Sequence, residues 1–202
     1  EMISGDQTMD TTVLRLDENS FVNEVLIHPN IHEEDNVYLN FCIMSKEMME
    51  KLINEGISRS IYSFKQGVLQ AKCNKLRILG WQYKGFSAKI NCIRSYYRAN
   101  MQLLDMKVRS ELFPRERPIY TKVRDEVPAK YGLKSDVSGS MVADGAIIEG
   151  TLENSIVFRG VHVGRGAVVK NCILMQETMV SENVKLDHVI TDKNVVIRAD
   201  RT

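Results

Sequence analysis

The C-terminal third of the chain carries a short aliphatic repeat that leaves few architectures open. Its positions are Val137, Val142, Ile148; Leu152, Val157, Val163; Val169, Leu174, Val180; and Leu186, Thr191, Ile197. Within each triple the steps are 5 and then 6 residues, and successive triples begin 17 residues apart except the first, which closes after 15. Eleven of the twelve are Val, Ile or Leu, and only Thr191 departs. A period near six is too short for a strand-helix unit and wrong for a helix, so each step is expected to be one short strand and a corner. Three steps then make one coil of a triangular prism. No coil can bury its own apolar edge, and stacking the coils closes a shared interior. Gly145, Gly150, Gly160, Gly164 and Gly166 fall at the expected corners, where positive φ or close backbone approach favours glycine. Met141, Ile156, Ile173 and Ile190 form a second apolar row, which competes for the inward assignment.

Upstream the pattern is mixed. Thr12 to Asp17 and Phe21 to Ile27 flank the polar cluster Glu18-Asn19-Ser20 and predict a hairpin. Asn36 to Met44 and Lys75 to Trp81 read as strands. Ser45 is a candidate N-cap for a helix running to Asn54, with Met48, Met49, Leu52 and Ile53 on one face and Gly56 as the stop. Further helices are expected over Ile61 to Ala71 and Tyr96 to Asp105. The alternation argues for an α/β layer structure. Between Lys107 and Tyr131, Pro114, Pro118 and Pro128 stand among alternating charges, the composition of a linker. The expected domains are therefore residues 1–106, linker 107–131 and prism 132–202.

Charge and cysteine usage narrow the function classes. Lys plus Arg number 27 against 26 Asp plus Glu, for a net charge of +1, which argues against nucleic acid or an anionic membrane as the main partner. No apolar run reaches the ~20 residues of a membrane span, and no signal-peptide shape opens the chain, so a cytoplasmic location is expected. Cys42, Cys73, Cys92 and Cys172 are scattered and read as reduced thiols packed as small hydrophobes. His162 and His188 are the only histidines in the repeat region, one short of a three-histidine metal site. Pro29 between His28 and His32 disfavours one helical face for that pair. An acyltransferase with His162 at a coil edge is an alternative that leaves the upstream half unexplained.

The words inside the repeat narrow the field further. Asn154 to Gly166 (NSIVFRGVHVGRG) with Ala167 to Gln176 (AVVKNCILMQ) resembles the β-helix of ADP-glucose pyrophosphorylases, the glucose-1-phosphate adenylyltransferases. Arg117 to Tyr131 (RPIYTKVRDEVPAKY) resembles the stretch by which that family enters its β-helix. Gly85 to Asn100 (GFSAKINCIRSYYRAN) resembles the family's G-Y-W-K-D-V-G-T-I-E-S-L-W-E-A-N, with Gly85, Ile93, Ser95, Ala99 and Asn100 identical. The resemblance implies the second part of a nucleotidyltransferase α/β domain followed by a left-handed parallel β-helix.

The departures from the family words carry the functional expectation. The resemblance places the family's magnesium-binding aspartate at Lys89, and an ammonium repels a hard cation instead of ligating it. The family's sugar-phosphate lysine corresponds to His28, whose imidazole lacks a permanent charge. The serine and glycine that shape the sugar pocket correspond to Tyr38 and Asn40, both bulkier. A degenerate site, with no catalytic residue, metal or cofactor of its own, is what these four positions describe. The resemblance then implies a non-catalytic regulatory subunit of glycogen biosynthesis, held in a hetero- or homo-oligomer with a catalytic adenylyltransferase subunit. It also implies that effectors of the family bind in a groove bordered by the linker, whose arginines are candidates for phosphate contact. The alternative is a competent adenylyltransferase.

Overall fold

The computed structural model describes residues 11–30, 32, 34–121 and 125–199. Two compact units divide the chain, Glu1–Lys84 and Gly85–Thr202. The division lies upstream of the 106/107 boundary that composition suggests, so that boundary stands as a proposal.

In the first unit the expected hairpin forms: β1 (Thr12–Leu16) pairs antiparallel with β2 (Val22–Ile27). The Asp17 carboxylate accepts the N–H groups of Asn19 and Phe21 at 2.9 and 2.8 Å, so a short acidic side chain adds to the backbone bonds that Asp17 makes with Ser20 and Phe21 across the turn. The predicted strand over residues 36–44 shortens to β3 (Asn36–Val37), paired with the other edge of β1. Beyond it Phe41 and Ile43 are exposed, Ile43 completely. Their aliphatic content reads as strand, but among the described residues no neighbouring strand takes up their hydrogen bonds. The predicted strand over 75–81 reduces to one bridge between Leu79 and Phe21.

Helix α1 (Lys46–Ser58) starts at the predicted cap, where Ser45 Oγ accepts the Met48 N–H at 3.2 Å. It runs through Gly56 instead of stopping there. A helical glycine costs about 1 kcal/mol, and the last turn is held by Glu55, which pairs with both Arg59 and Lys72. The left-handed residue past the helix is Ser60, at φ +55°. Of the expected apolar face only Leu52 is buried. The helix expected over 61–71 appears as a π-helical segment, Lys65–Gln70, whose Leu69 packs with Val22 and Val25.

The second unit is built on the prism. One side stacks β4 (Lys130–Tyr131), β7 (Ile147–Ile148), β10 (His162–Val163), β13 (Met179–Val180) and β15 (Val196–Ile197), all parallel. The second side stacks β5 (Asp136–Ser138), β8 (Thr151–Glu153), β11 (Val168–Lys170) and β14 (Lys185–Asp187). The third stacks β6 (Met141–Val142), β9 (Ile156–Val157) and β12 (Ile173–Leu174), extended by a bridge to Ile190. Ile148, Leu152, Val157, Val163, Val169, Leu174 and Val180 form the buried core, with Val137, Val142, Leu186 and Ile197 partly buried at its ends. The inward frame is therefore the row containing Thr191, which is itself buried. Its hydroxyl accepts the Met175 N–H at 3.1 Å and lies 3.0 Å from the buried Thr178 hydroxyl, so a polar atom is tolerated inside.

The short first coil has a local cause. Ile148 is followed by the inward Leu152 after four residues, whereas Val163 to Val169 and Val180 to Leu186 take six. The corner is closed by Gly150, where a Cβ would collide with the carbonyl oxygens of Ala167 and Gly164. Gly145, Gly160 and Gly166 adopt positive φ at theirs. Asn154 and Asn171 do the same at another corner column, and the Asn154 side-chain N–H donates to Asn171 Oδ1 at 2.7 Å.

The second apolar row has its own partner. Neighbouring strand residues face opposite ways, so Ile156 and Ile173 point outward, yet both are buried. Helix α2 (Ile93–Gln102) lies on this side, its Tyr97 hydroxyl donating to the Asn171 carbonyl at 2.7 Å. The helix starts three residues earlier than expected because Cys92 caps it, Sγ accepting the Ser95 N–H at 3.4 Å. Within the expected linker, α3 (Met106–Leu112) forms behind the Asp105 cap, and Arg109 donates to the Leu103 and Leu104 carbonyls at the end of α2. Lys122 and Arg124 of that linker lie outside the described residues.

Candidate functional site

Two of the four predicted site positions converge on one strand end. The His28 N–H donates to the Thr11 carbonyl at 2.8 Å just past β2, and the Tyr38 N–H donates to the Thr12 carbonyl at 2.8 Å just past β3. Thr11 and Thr12 are buried between them. His28 and Asn40 both hold left-handed backbone, at φ +57° and +63°, and Asn40 is exposed two residues beyond Tyr38. Burial pushes the Tyr38 phenol up to about 12, with the nearby Cys42 thiol adding charge and hydrogen-bond contributions. Tyr38 is thus a neutral hydrogen-bonding group at physiological pH and supplies no positive charge to a phosphate.

Lys89 belongs to the second unit, exposed in the extended stretch that leads to α2. Magnesium takes oxygen ligands and retains several waters, and the residue at this position is an ammonium donor. Among the described residues no group of three His, Cys, Asp or Glu side chains is placed to hold a metal ion. The lysine that the resemblance places at the family's magnesium ligand does not fit that ion.

A feature that sequence reasoning missed lies in the second unit. An open cleft of about 720 Å³ is lined by Ile90, Cys92, Ile93 and Tyr96 on one wall and by Met175, His188 and Ile190 on the other. Next to it, His188 Nδ1 lies 2.8 Å from Asp187 Oδ1. The Asp187 carboxyl is held below its usual range by the Asn171 amide first and by His188 next. The walls come from segments far apart in the chain. The one signal in the sequence was the surplus outward row ending at Ile190. Tyr97 of α2 packs against the β-helix, its hydroxyl donating to the Asn171 carbonyl, whereas Arg98 is exposed. His162 faces outward from β10 with Nε2 3.1 Å from Glu149 Oε2, and Arg165 Nε donates to the other oxygen at 3.2 Å.

Comparison with known proteins finds relatives on both branches of the resemblance. A family model described as GlmU-like, C-terminal hexapeptide matches residues 126–202. Glycogen biosynthesis protein GlgD of Bacillus subtilis (strain 168) is 41% identical over 164 residues, covering 81% of this chain and 48% of that protein. The chain is a GlgD homologue. Over the comparable span of 165 residues, glucose-1-phosphate adenylyltransferase of Desulfitobacterium hafniense (strain DSM 10664 / DCB-2) is 25% identical, covering 81% of this chain and 41% of that enzyme. GlgD of Geobacillus stearothermophilus reaches 55% over 71 residues, 35% of this chain and 21% of that protein. The homologue thus sits closer to the GlgD proteins than to that adenylyltransferase, and it spans about half the length, or less, of the curated relatives it matches. No helix among the described residues is long and apolar enough to cross a membrane.

Proposed function

We propose that this chain is part of a non-catalytic regulatory subunit of glycogen biosynthesis. In this reading it assembles in the cytoplasm with a glucose-1-phosphate adenylyltransferase and adjusts the conversion of ATP and glucose 1-phosphate to ADP-glucose and diphosphate. What supports this is Lys89, a cation where the resemblance puts a metal ligand, in a chain whose β-helix keeps a buried aliphatic core. Nucleotidyl transfer depends on neutralising phosphate charge, and His28, Tyr38 and Asn40 depart from the family's sugar-phosphate pocket in the same direction. A chain that keeps its scaffold and loses its metal ligand acts by contact.

Such a subunit changes its partner only by binding the partner's conformations with different affinity. A tenfold change in substrate affinity needs a difference of about 1.4 kcal/mol. The test is to purify a glucose-1-phosphate adenylyltransferase with and without this protein and to measure size and kinetics together. A mixed oligomer with altered substrate affinity or effector response is expected. Separate elution with unchanged kinetics would defeat the reading.

A further inference from the structure

Lys89 lies on a stretch of chain that two helices hold at its ends. At the near end the Phe86 N–H donates to Glu111 Oε1 of α3 at 2.6 Å. At the far end Ser95 Oγ of α2 accepts the N–H groups of Asn91 and Cys92 at 3.0 and 3.1 Å. Between the two holds, Ser87, Ala88, Lys89 and Ile90 are all exposed and belong to no helix or strand. Whatever sets their position acts at the ends.

The two holds differ in kind. The Ser95 hold is local, spanning four residues or fewer, and is part of the cap of α2, so it lasts as long as the helix does. Tyr97 ties that helix to the β-helix in turn. The Glu111 hold closes 25 residues of chain and joins the stretch to the expected linker. Glu111 stands in the last turn of α3 (Met106–Leu112), where the helix macrodipole favours a cation. Arg109 of the same turn supplies one, donating to the Leu103 and Leu104 carbonyls. A carboxylate beside it adds nothing to its own helix, and what it gains is the Phe86 N–H. That bond is charge-assisted, but both of its groups stand in solvent, where water competes for each. Such a contact sets a position and is readily released, as elements that move in regulation are.

Release has a defined consequence. Ile90 and Asn91 form part of the cleft wall that faces Met175, His188 and Ile190. With Phe86 let go, the stretch pivots at Asn91. Lys89 and Ile90 then shift together while α2 stays on the β-helix.

We infer that Glu111 is a positioning residue: through its bond to Phe86, α3 sets where Lys89 and Ile90 lie, and this chain's effect on an adenylyltransferase partner depends on that bond. The inference rests on the regulatory reading above and names the element that gives it two states. A regulatory subunit needs an element whose positions bind the partner with different affinity, and an exposed stretch with one releasable end supplies it.

The test has one arm without a partner and one with it. In nitrogen-15 relaxation of the full chain, the order parameters of residues 87–90 are expected to be near those of rigid backbone, about 0.85, and Glu111→Ala should lower them below about 0.6. The same change should speed exchange of the Phe86 amide at least tenfold and leave Tyr97 and the β-helix strands unaltered. Glu111→Gln keeps an oxygen acceptor and should restore most of the order. Ser110→Ala, which removes a bond to the Lys107 carbonyl within α3, should change neither readout. In the whole protein mixed with a glucose-1-phosphate adenylyltransferase, Glu111→Ala should leave the size of the mixed oligomer unchanged and cut its effect on the enzyme's KM for glucose 1-phosphate at least threefold, with Glu111→Gln between the two. A merely structural role would lower the amount of mixed oligomer instead. Unchanged order parameters in Glu111→Ala, or a mixed oligomer whose kinetics are the same with and without that change, would overturn the inference. Failure of the unaltered protein to form any mixed oligomer would defeat the regulatory reading and the role of Glu111 in it together, and the relaxation arm, read without a partner, tells that failure apart from loss of the hold itself.

Discussion

The Tyr97 hydroxyl donates to the main-chain carbonyl of Asn171 at 2.7 Å, tying α2 to the outside of the β-helix at a corner where Asn171 holds φ +51°. The same Asn171 spends its side chain on the corner column, accepting from Asn154 and donating to Asp187 at 2.7 and 2.8 Å. One residue thus links the helix, the corner ladder and the cleft wall. Tyr97→Phe keeps the ring and strands a carbonyl, so a loss of about 1 kcal/mol is expected in urea unfolding. Burial first, then Cys172 and Asp187, raise the Tyr97 phenol above its ordinary value near 10. Its contribution is complete below that ordinary value and is lost as pH rises through the folded one. The difference between wild type and Tyr97→Phe should therefore shrink in alkaline solution.

Gly150 and Gly139 occupy corners for different reasons, and alanine separates them. Gly139 holds φ +56° with its nearest non-neighbouring atoms 3.8 Å from a built Cβ. Gly139→Ala should then cost only the left-handed strain, about 1–2 kcal/mol. At Gly150 the added carbon meets two backbone carbonyls that cannot move without breaking the ladder between coils. Gly150→Ala should cost at least twice as much as Gly139→Ala, measured by the same urea titration.

Thr191→Val tests whether the apolar repeat is improved by regularity. The other inward positions are aliphatic, which would argue that valine stabilises here too. The Thr191 hydroxyl, however, accepts the Met175 N–H and contacts the Thr178 hydroxyl, which also reaches the Asp192 carbonyl. Removing it leaves a buried N–H without its acceptor, and a loss of about 1–2 kcal/mol is expected. An increase in melting temperature would refute this account.

Glu149 lies well placed to respond to acid. Hydrogen bonds from His162 and then Arg165 hold its carboxyl below the usual range. A carboxyl depressed in the folded state contributes stability that is present above the unfolded value near 4.3 and is lost as pH falls through the folded one. Glu149→Gln should therefore flatten the decline of melting temperature below about pH 4.5 and leave the slope at neutral pH unchanged.

The β-helix was legible because every coil repeats the same local problem: Val157 and Leu174 solve it identically one coil apart, and the sequence states the solution four times. The 15-residue coil was visible as a deletion, and Gly150 explains where it falls. The first unit was less legible because its elements depend on distant partners. Residues 41–44 have the composition of a strand and, among the described residues, no strand to pair with, and Gly56 is outweighed by ion pairs that Glu55 makes with Arg59 and with Lys72. The outward row of Ile156 and Ile173 registered only as an ambiguity of frame, since periodicity reports which residues alternate and not what covers them. Of the predicted site, His28 and Tyr38 share a strand end, while Lys89 falls in the other unit.

Lys89 is the position on which the functional reading turns, and its replacement gives the sharpest test. In the whole protein that carries this sequence, ADP-glucose formation is expected to stay at background when assayed without a partner, because losing about 4 kcal/mol of phosphate neutralisation corresponds to roughly a thousandfold in rate. Lys89→Asp restores an oxygen ligand and removes the repelling charge. It leaves His28 without a lysine's charge, Tyr38 as a neutral phenol pushed up to about 12, and Asn40 beside it. A single restored ligand cannot organise a pocket whose sugar-phosphate side is still altered, so no recovery is expected from this change alone. Combining it with His28→Lys, Tyr38→Ser and Asn40→Gly should give measurable turnover before any single change does. Turnover from Lys89→Asp alone would mean that the pocket is intact, and turnover in the unaltered protein would mean that Lys89 does not occupy the metal position.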